Sequence, residues 1–393
     1  MFNFDFYTPT KVIFGKGTES QTGAQIKAFG GTKVLIHYGG KSAIKSGLIN
    51  KVKKSLDEAE IAHVELGGVV PNPHLSKVRE GIELGGNEKI DFILAVGGGS
   101  VIDSAKAIAY ALAEPEYDIW ELFEKKRKPQ KALPIGVVLT IAAAGSEMSK
   151  SCVITNEKTG KKRSCSSDLS RPKFAIMNPE LTLTLPDYQT QAGCTDIMMH
   201  TMERYFTNGG NMEITDALAE GLLRTVMKNA KILHKEPLNY EARAEVMWAS
   251  SLSHNGLTGC GSDGGDFASH KLEHELSGMF DVTHGAGLAA VWSSWARYVY
   301  KDCLPRFVKY ALNVMQVEAG KTDEETALKG IAAMEDFYHQ IGMPTNLKEL
   351  GISPTDEQIV QMAESCASAA GGLTGSAKKL GKDDMIEIYL KAR

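Results

Sequence analysis

Two hydrophobic periods divide the chain. From about residue 11 to residue 186, short β-branched apolar runs alternate with stretches in which apolar residues recur at helical spacing. Lys33-Val34-Leu35-Ile36-His37, Ala62 to Leu66, Phe92-Ile93-Leu94-Ala95-Val96, Ile135 to Thr140 and Phe174 to Met177 predict strands. Helical spacing runs from Ser42 to Leu56, from about Ser76 to Leu84 after the Pro71-Asn72-Pro73 break, and from Ser100 to about Leu112. Strands and helices in alternation predict a mainly parallel sheet covered on both faces. Such sheets bind ligands at the carboxyl ends of their strands. After Leu185-Pro186-Asp187 only the helical period remains, interrupted at Gly209-Gly210, Asp263-Gly264-Gly265 and Gly371-Gly372. The expected organisation is a Rossmann-like α/β domain over residues 1–186 followed by an all-α domain over residues 187–393.

Composition narrows the class without changing that picture. A chain of 393 residues exceeds what one hydrophobic core usually serves, which favours two domains. Hydrophobic content of 43% with 23% charged residues is that of a soluble globular protein. The net charge of -4 gives no electrostatic case for nucleic acid or an acidic membrane surface as partner. The longest apolar run, Pro134 to Gly145, falls well short of the ~20 residues of a membrane span and reads as a buried strand. The Met-Phe-Asn-Phe-Asp-Phe opening lacks the basic start of a signal peptide, so a cytoplasmic location is expected. Six scattered cysteines without a CxxC pair argue against a disulfide framework or a thiolate zinc site. They are expected to be reduced and structural, with Cys194 and Cys260 nearest to the candidate ligands and the most open to oxidation.

The candidate chemistry is concentrated in the helical half. Asp196 and His200 stand four residues apart, as do His270 and His274, so each pair shares one face of a helix. His284 lies in Asp281-Val282-Thr283-His284-Gly285-Ala286-Gly287, where glycines let a loop carry it to the same point. Three imidazoles and a carboxylate suit a divalent first-row metal with a position left for substrate. Histidines at this spacing also occur in ordinary helices. Crowding raises the weight of the metal reading: four of the ten histidines, His254, His270, His274 and His284, cluster beside a carboxylate-rich loop.

In the first half, Gly97-Gly98-Gly99-Ser100 runs from a strand into a helix and is the candidate phosphate cradle. A tight strand-helix turn is the alternative reading, and the third glycine of the usual dinucleotide fingerprint falls at Ile102. Gly40-Lys41-Ser42 lacks the first glycine of a Walker loop, since Leu35 stands there, which excludes a P-loop NTPase. Thr140-Ile141-Ala142-Ala143-Ala144-Gly145-Ser146-Glu147 offers small residues and hydroxyls for a ribose or phosphate. His270-Lys271-Leu272-Glu273-His274 also fits the H-x-x-E-H string of an inverted zinc metallopeptidase, with Glu273 as general base. That reading leaves the glycine turn and the Asp196/His200 pair without a purpose.

Taken together, Gly97-Gly98-Gly99-Ser100-x-x-Asp103-x-Ala105-Lys106, Ala144-Gly145-Ser146-Glu147, Asp196-x-x-x-His200 and His270-x-x-x-His274 with His284 resemble the iron-containing (group III) alcohol dehydrogenases. The closest-looking branch is that of the butanol dehydrogenases and NADPH-dependent aldehyde reductases, and the motifs span essentially the whole chain. The resemblance implies a dehydroquinate synthase-like architecture with the active site in the cleft between its domains. It implies Asp196, His200, His270 and His284 as ligands of Fe(II) or Zn(II), which would polarise the substrate oxygen during hydride transfer. His274 would lie beside the site near the nicotinamide, relaying the alcohol proton or supporting a ligand. Cofactor contacts would come from Gly39, Gly40, Ser42, Asn72, Gly97, Gly98, Gly99, Ser100, Asp103, Thr140, Ser146 and Lys162. The implied substrate is a small primary alcohol or aldehyde of the butanol/butyraldehyde type, with a polyol (glycerol-type) dehydrogenase as the alternative, and the implied assembly is a homodimer. His37-Tyr38-Gly39-Gly40-Lys41-Ser42 has no acid to repel a 2′-phosphate and carries a lysine, which favours NADP(H) over NAD(H). The chain departs from the pattern at Lys41 (for a glycine), Ala144 (for a threonine) and Leu181 (for an aromatic residue).

Overall fold

The β-branched runs become strands of one parallel sheet whose central members are buried on both faces. In the computed structural model, which describes residues 1–393, the order is β1 (Lys11–Phe14), α1 (Thr22–Ala28), β2 (Lys33–Tyr38), α2 (Ser42–Lys45), α3 (Leu48–Glu58) and β3 (Ala62–Leu66). There follow α4 (Leu75–Glu88), β4 (Phe92–Gly97), α5 (Gly99–Ala113), α6 (Trp120–Phe123), β5 (Ile135–Leu139), β6 (Ser151–Asn156), β7 (Lys161–Ser166) and β8 (Phe174–Met177). The six-stranded sheet has the order β1-β8-β5-β4-β2-β3, all parallel, with Val34 opposite Phe92 and Val96 opposite Val138. Because β2 is flanked by β3 on one side and β4 on the other, the chain reverses direction across the sheet there. In open α/β sheets that reversal, at the carboxyl ends of the strands, is where ligands bind.

Three differences from the sequence reading have local causes. The helix expected from Ser42 to Leu56 is two helices, because Gly47 takes a left-handed φ of 76° that no continuous helix accommodates. The short edge strand β1 is not among the runs singled out. The antiparallel hairpin β6–β7, a separate two-stranded sheet, is also missed, because its β7 sequence Lys-Lys-Arg-Ser-Cys-Ser has no apolar alternation.

The chain folds into two compact units, one spanning Thr8–Thr184 and a second comprising Met1–Tyr7 with Leu185–Arg393. The second contains α7 (Asp187–Tyr205), α8 (Glu213–Lys235), α9 (Tyr240–His254), α10 (Ala268–Phe280) and α11 (His284–Val299). It continues with α12 (Leu304–Asn313), α13 (Asp323–Gln340), α14 (Asp356–Ala370) and α15 (Lys382–Ala392). Nearly every side chain of α7 and α11 is buried, including Trp292 and Trp295, so these two helices form the centre of this unit. The expected glycine breaks fall between α7 and α8, before α10 and after α14. No helix is long and apolar enough to cross a membrane.

Candidate metal centre

One face of α7 carries Asp196, His200 and Glu203, at i, i+4 and i+7, and all three are buried. The Asp196 Oδ1 atom faces the Nε2 atoms of three histidines, at 3.3 Å from His200, 3.5 Å from His270 and 3.8 Å from His284. Two donors each about 2.1 Å from a tetrahedral ion lie roughly 3.4 Å apart, so these separations are those of donors around a common cation. Asp196, His270 and His284 present one donor atom each, all within 4.8 Å of one another. His200 is placed against Asp196 and against the His270 ring, with centroids 4.2 Å apart, but stands outside that three-residue group. Asp196 Oδ1 and His270 Nε2 are buried and make no hydrogen bond. A carboxylate oxygen and an imidazole nitrogen left in that state are costly unless a cation satisfies them. The donor set fits a divalent metal; Asp196, His270 and His284 form a metal site.

The other ring nitrogens of two ligands are held by carboxylates. His270 Nδ1 donates to Glu203 Oε2, and the backbone N–H of His270 donates to Glu203 Oε1 at 3.0 Å. His284 Nδ1 donates to Glu273 Oε2, and Ser277 donates its hydroxyl to the same carboxylate. Both arrangements put the Nδ1 proton on the carboxylate side and turn Nε2 toward Asp196, where on His270 a bound cation would take the place of an Nε2 proton. Glu203 is absent from the sequence reading, although its i+7 spacing from Asp196 was a usable signal. Glu273 does not act as the base of an H-x-x-E-H peptidase, because its carboxylate is committed to His284 and Ser277.

His284 is not carried by a flexible glycine loop, as the sequence suggested. It is the first residue of α11, and its glycine neighbours serve close packing. A Cβ on Gly285 would lie 2.0 Å from the Ala192 carbonyl oxygen, and one on Gly287 would lie 2.9 Å from Cγ of Glu273. His274, one turn beyond His270 on α10, groups with Glu273 and His284 rather than with Asp196, its ring 5.9 Å from that of His284. His254 lies against His200, the tilted rings 3.9 Å apart between centroids, and accepts a hydrogen bond at Nδ1 from the half-buried Arg204.

The electrostatics suit a bound cation. Burial, with its histidine neighbours, holds His200 well below the usual imidazole range, in the neutral form that donates a lone pair. Burial also opposes charge on His270, but Glu203 and Asp196 outweigh it and push its pKa up to about 10. Cys194, close in sequence to Asp196, is buried with its thiol pushed up to about 12 by burial, so it is not the oxidisable group the sequence suggested. All six cysteines are free and only Cys260 is partly exposed.

In the α/β unit the residues expected to hold a cofactor gather at the carboxyl ends of the strands. Gly39, Gly40 and Ser42 follow β2, Gly97 to Ser100 join β4 to α5, and Thr140 follows β5, its N–H bonded to the Gly97 carbonyl at 3.0 Å. The first turn of α5 directs backbone N–H groups out of this edge. Gly97 and Gly98 are also required sterically, since a Cβ would meet Val101 at 2.5 Å and Ile141 at 2.9 Å. Asn72 takes a left-handed φ of 53° and accepts a hydrogen bond from Lys162 Nζ at 3.0 Å, joining the segment before α4 to the hairpin. Asp103 and Ser146 face inward. Ser146 Oγ donates to Asp103 at 2.5 Å and accepts from Lys106 Nζ at 2.9 Å, while Asp103 Oδ2 accepts the Val153 N–H at 2.9 Å. These two residues shape the turn after β5 from beneath.

Comparison with known proteins agrees with this arrangement. Residues 9–179 match the family description "Iron-containing alcohol dehydrogenase", and residues 190–393 match "Fe-containing alcohol dehydrogenase family, C-terminal". The chain is 40% identical over 393 residues to NADH-dependent butanol dehydrogenase A of Clostridium acetobutylicum, covering 100% of both chains. It is 38% identical over 354 residues to the NADPH-dependent aldehyde reductase YqhD of Escherichia coli, covering 90% of each. The crystal structure of NADH-dependent butanol dehydrogenase A from Thermotoga maritima superposes with a TM-score of 0.95 at 42% identity, covering 100% of this chain and 99% of that one.

Proposed function

Since the chain belongs to the iron-containing alcohol dehydrogenase family and is an NAD(P)-dependent oxidoreductase, we propose that it reduces small aliphatic aldehydes of the butyraldehyde type, and oxidises the matching primary alcohols, with NADP(H). The observation that carries this reading is the convergence of Asp196 Oδ1 with the Nε2 atoms of His200, His270 and His284. In the proposal all four side chains bind one Fe(II) or Zn(II) ion, His200 completing the set. The ion supplies Lewis acidity toward the substrate oxygen, and the nicotinamide supplies the hydride. The chain's own groups do the rest. The strand-end backbone of Gly97 to Ser100 and the α5 N-terminus bind the cofactor pyrophosphate, and Gly39, Gly40 and Ser42 receive the adenosine end. Lys162, fixed by Asn72, adds positive charge, and Thr140 adds a hydroxyl. His274 passes the alcohol proton toward solvent, a task suited to an imidazole beside the site.

The NADP(H) preference rests on the turn after β2. Tyr38 to Ser46 contain no carboxylate but carry Lys41 and Lys45, and the acid that Tyr38 reaches, Glu65, is paired with Lys53 at 2.6 Å. A 2′-phosphate meets no repulsion there. Two copies of the chain form the functional dimer in this reading. Purified protein reconstituted with Fe(II) or Zn(II) should consume NADPH faster than NADH with butyraldehyde, followed at 340 nm, and prefer 1-butanol to glycerol in the reverse direction. A higher kcat/KM with NADH would overturn the cofactor assignment, and faster turnover of glycerol would favour the polyol reading.

A further inference from the structure

Three histidines face Asp196, and the protein treats them differently. His270 and His284 each give their Nδ1–H to a buried carboxylate, whereas His200 Nδ1 has no hydrogen-bond partner and its ring lies against His254. Each supporting carboxylate sits on a different helix from the ligand it holds. Glu203 on α7 holds His270 on α10, and Glu273 on α10 holds His284 on α11. Each acid also has a second anchor. Glu203 accepts the backbone N–H of His270, which fixes the α10 backbone as well as the ring, and Glu273 is steadied by the Ser277 hydroxyl. The neighbouring sequence makes room for Glu273. Gly287 stands where a Cβ would come within 3.0 Å of the Glu273 Oε1 atom, so any larger residue there would displace the carboxylate. Exposure of Glu203 and Glu273 is 1% and 0%. Burying two carboxylates beside a third, Asp196, is costly in a protein without a cation to balance them.

We propose that Glu203 and Glu273 are positioning residues that set how tightly the centre holds its metal, by fixing the orientation and basicity of His270 and His284. The inference rests on the reading of these histidines as ligands. A carboxylate behind an imidazole locks the tautomer that presents Nε2 and pushes electron density toward the ion. Metal retention therefore depends chiefly on the α10 and α11 ligands, and His200 is the ligand most easily released.

Glu203→Gln and Glu273→Gln keep the side-chain shape and remove the charge. Zn(II) affinity, measured by competition with a chromogenic chelator, should fall about 10- to 100-fold in each variant. The visible absorption of the Co(II)-substituted protein should change in position or intensity, since ring orientation alters the ligand field. The unfolding temperature of metal-free Glu273→Gln should equal or exceed that of metal-free wild type, because a buried negative charge has gone. A purely structural role would lower it. Glu203→Gln also removes the partner that raises His270 and is compared on affinity and spectrum alone. Glu220→Gln removes a buried acid that bonds Tyr205 and touches no ligand, and it should leave Zn(II) affinity unchanged. Either glutamine variant suffices if the other is insoluble. Wild-type affinity and an unchanged Co(II) spectrum in the variants would overturn this inference while leaving the metal centre standing. So would a loss of affinity in Glu273→Gln matched by an equal destabilisation of its metal-free fold. Failure of the wild type to bind one ion per chain would overturn both.

Discussion

His270 is the residue on which the centre turns. Its Nε2 faces Asp196 and its Nδ1 and backbone N–H are held by Glu203, whereas His274, one turn later, belongs to a different cluster. His270→Ala should bind metal at least about 100-fold more weakly and lose nearly all turnover, while His274→Ala keeps its metal and loses rate only. Metal content by atomic emission and steady-state kinetics on the same samples separate the two. In the other unit, His37 is a core residue with a pH signature. It is fully buried and bonds Leu66 O at 3.0 Å and Ser104 Oγ at 2.8 Å, and burial lowers its pKa from 6.5 to about 4. The folded state therefore binds its proton later than the unfolded chain. The stabilising contribution is complete above the unfolded value near 6.5 and is lost as pH falls toward about 4. Between about pH 7.5 and about pH 5 this amounts to about 2 kcal/mol. Denaturant titrations at the two pH values should show that loss in wild type and not in His37→Phe, where the titrating group is gone.

At the scale of elements, helices are joined by contacts with little tolerance. Gly285 lets the start of α11 rest against Ala192 of α7, and an added Cβ would lie 2.0 Å from that carbonyl oxygen. Gly285→Ala must push α11 away from α7, costing about 1 to 3 kcal/mol by overpacking and moving His284 off Asp196. Calorimetry and metal content should both register it. Lys106 plays a corresponding part in the α/β unit. Its fully buried ammonium donates to the carbonyls of Ser146 at 2.8 Å, Ser149 at 3.0 Å and Ser151 at 2.8 Å, tying α5 to the turn after β5 and to β6. Lys106→Met leaves those three carbonyls without their donor and removes a charge that favours ionised Asp103, and should cost about 3 to 5 kcal/mol, read as a fall in the denaturant midpoint. Helix α7 illustrates what periodicity conceals. Its hydrophobic pattern is weak because both apolar and ionisable faces are buried, so Asp196 and His200 were visible only through their spacing and Glu203 went unread.

For the whole molecule, the helical unit is completed by its ion. Asp196, Glu203 and Glu273 are three buried carboxylates, and the half-buried Arg204 lends its charge to Glu203. Stripping the metal with a chelator should lower the unfolding temperature. With free metal at about 100 times its Kd the difference is about 2.7 kcal/mol, or several degrees. Readdition of Zn(II) or Fe(II) should restore it, which differential scanning calorimetry will show; identical melting of both forms would deny the linkage.

The alternation of strand and helix, the parallel sheet, the change to helices after Pro186 and the candidate ligands were legible in the order of residues alone. Those features are carried by local periodicity, by Gly97 to Gly99 at a strand end, and by residues spaced to share a helix face. The folded chain was needed to show which histidines converge, that Glu203 and Glu273 stand behind two of them, and that Asp103, Ser146 and Lys106 brace one another inside the fold. It also shows that Gly285 and Gly287 clear space for α7 and for a carboxylate rather than loosen a loop. The physical reason is the same in each case. Periodicity tells a residue which way to face within its own element, whereas hydrogen-bond partners and close approaches lie on other elements, at distances along the chain that no local pattern encodes.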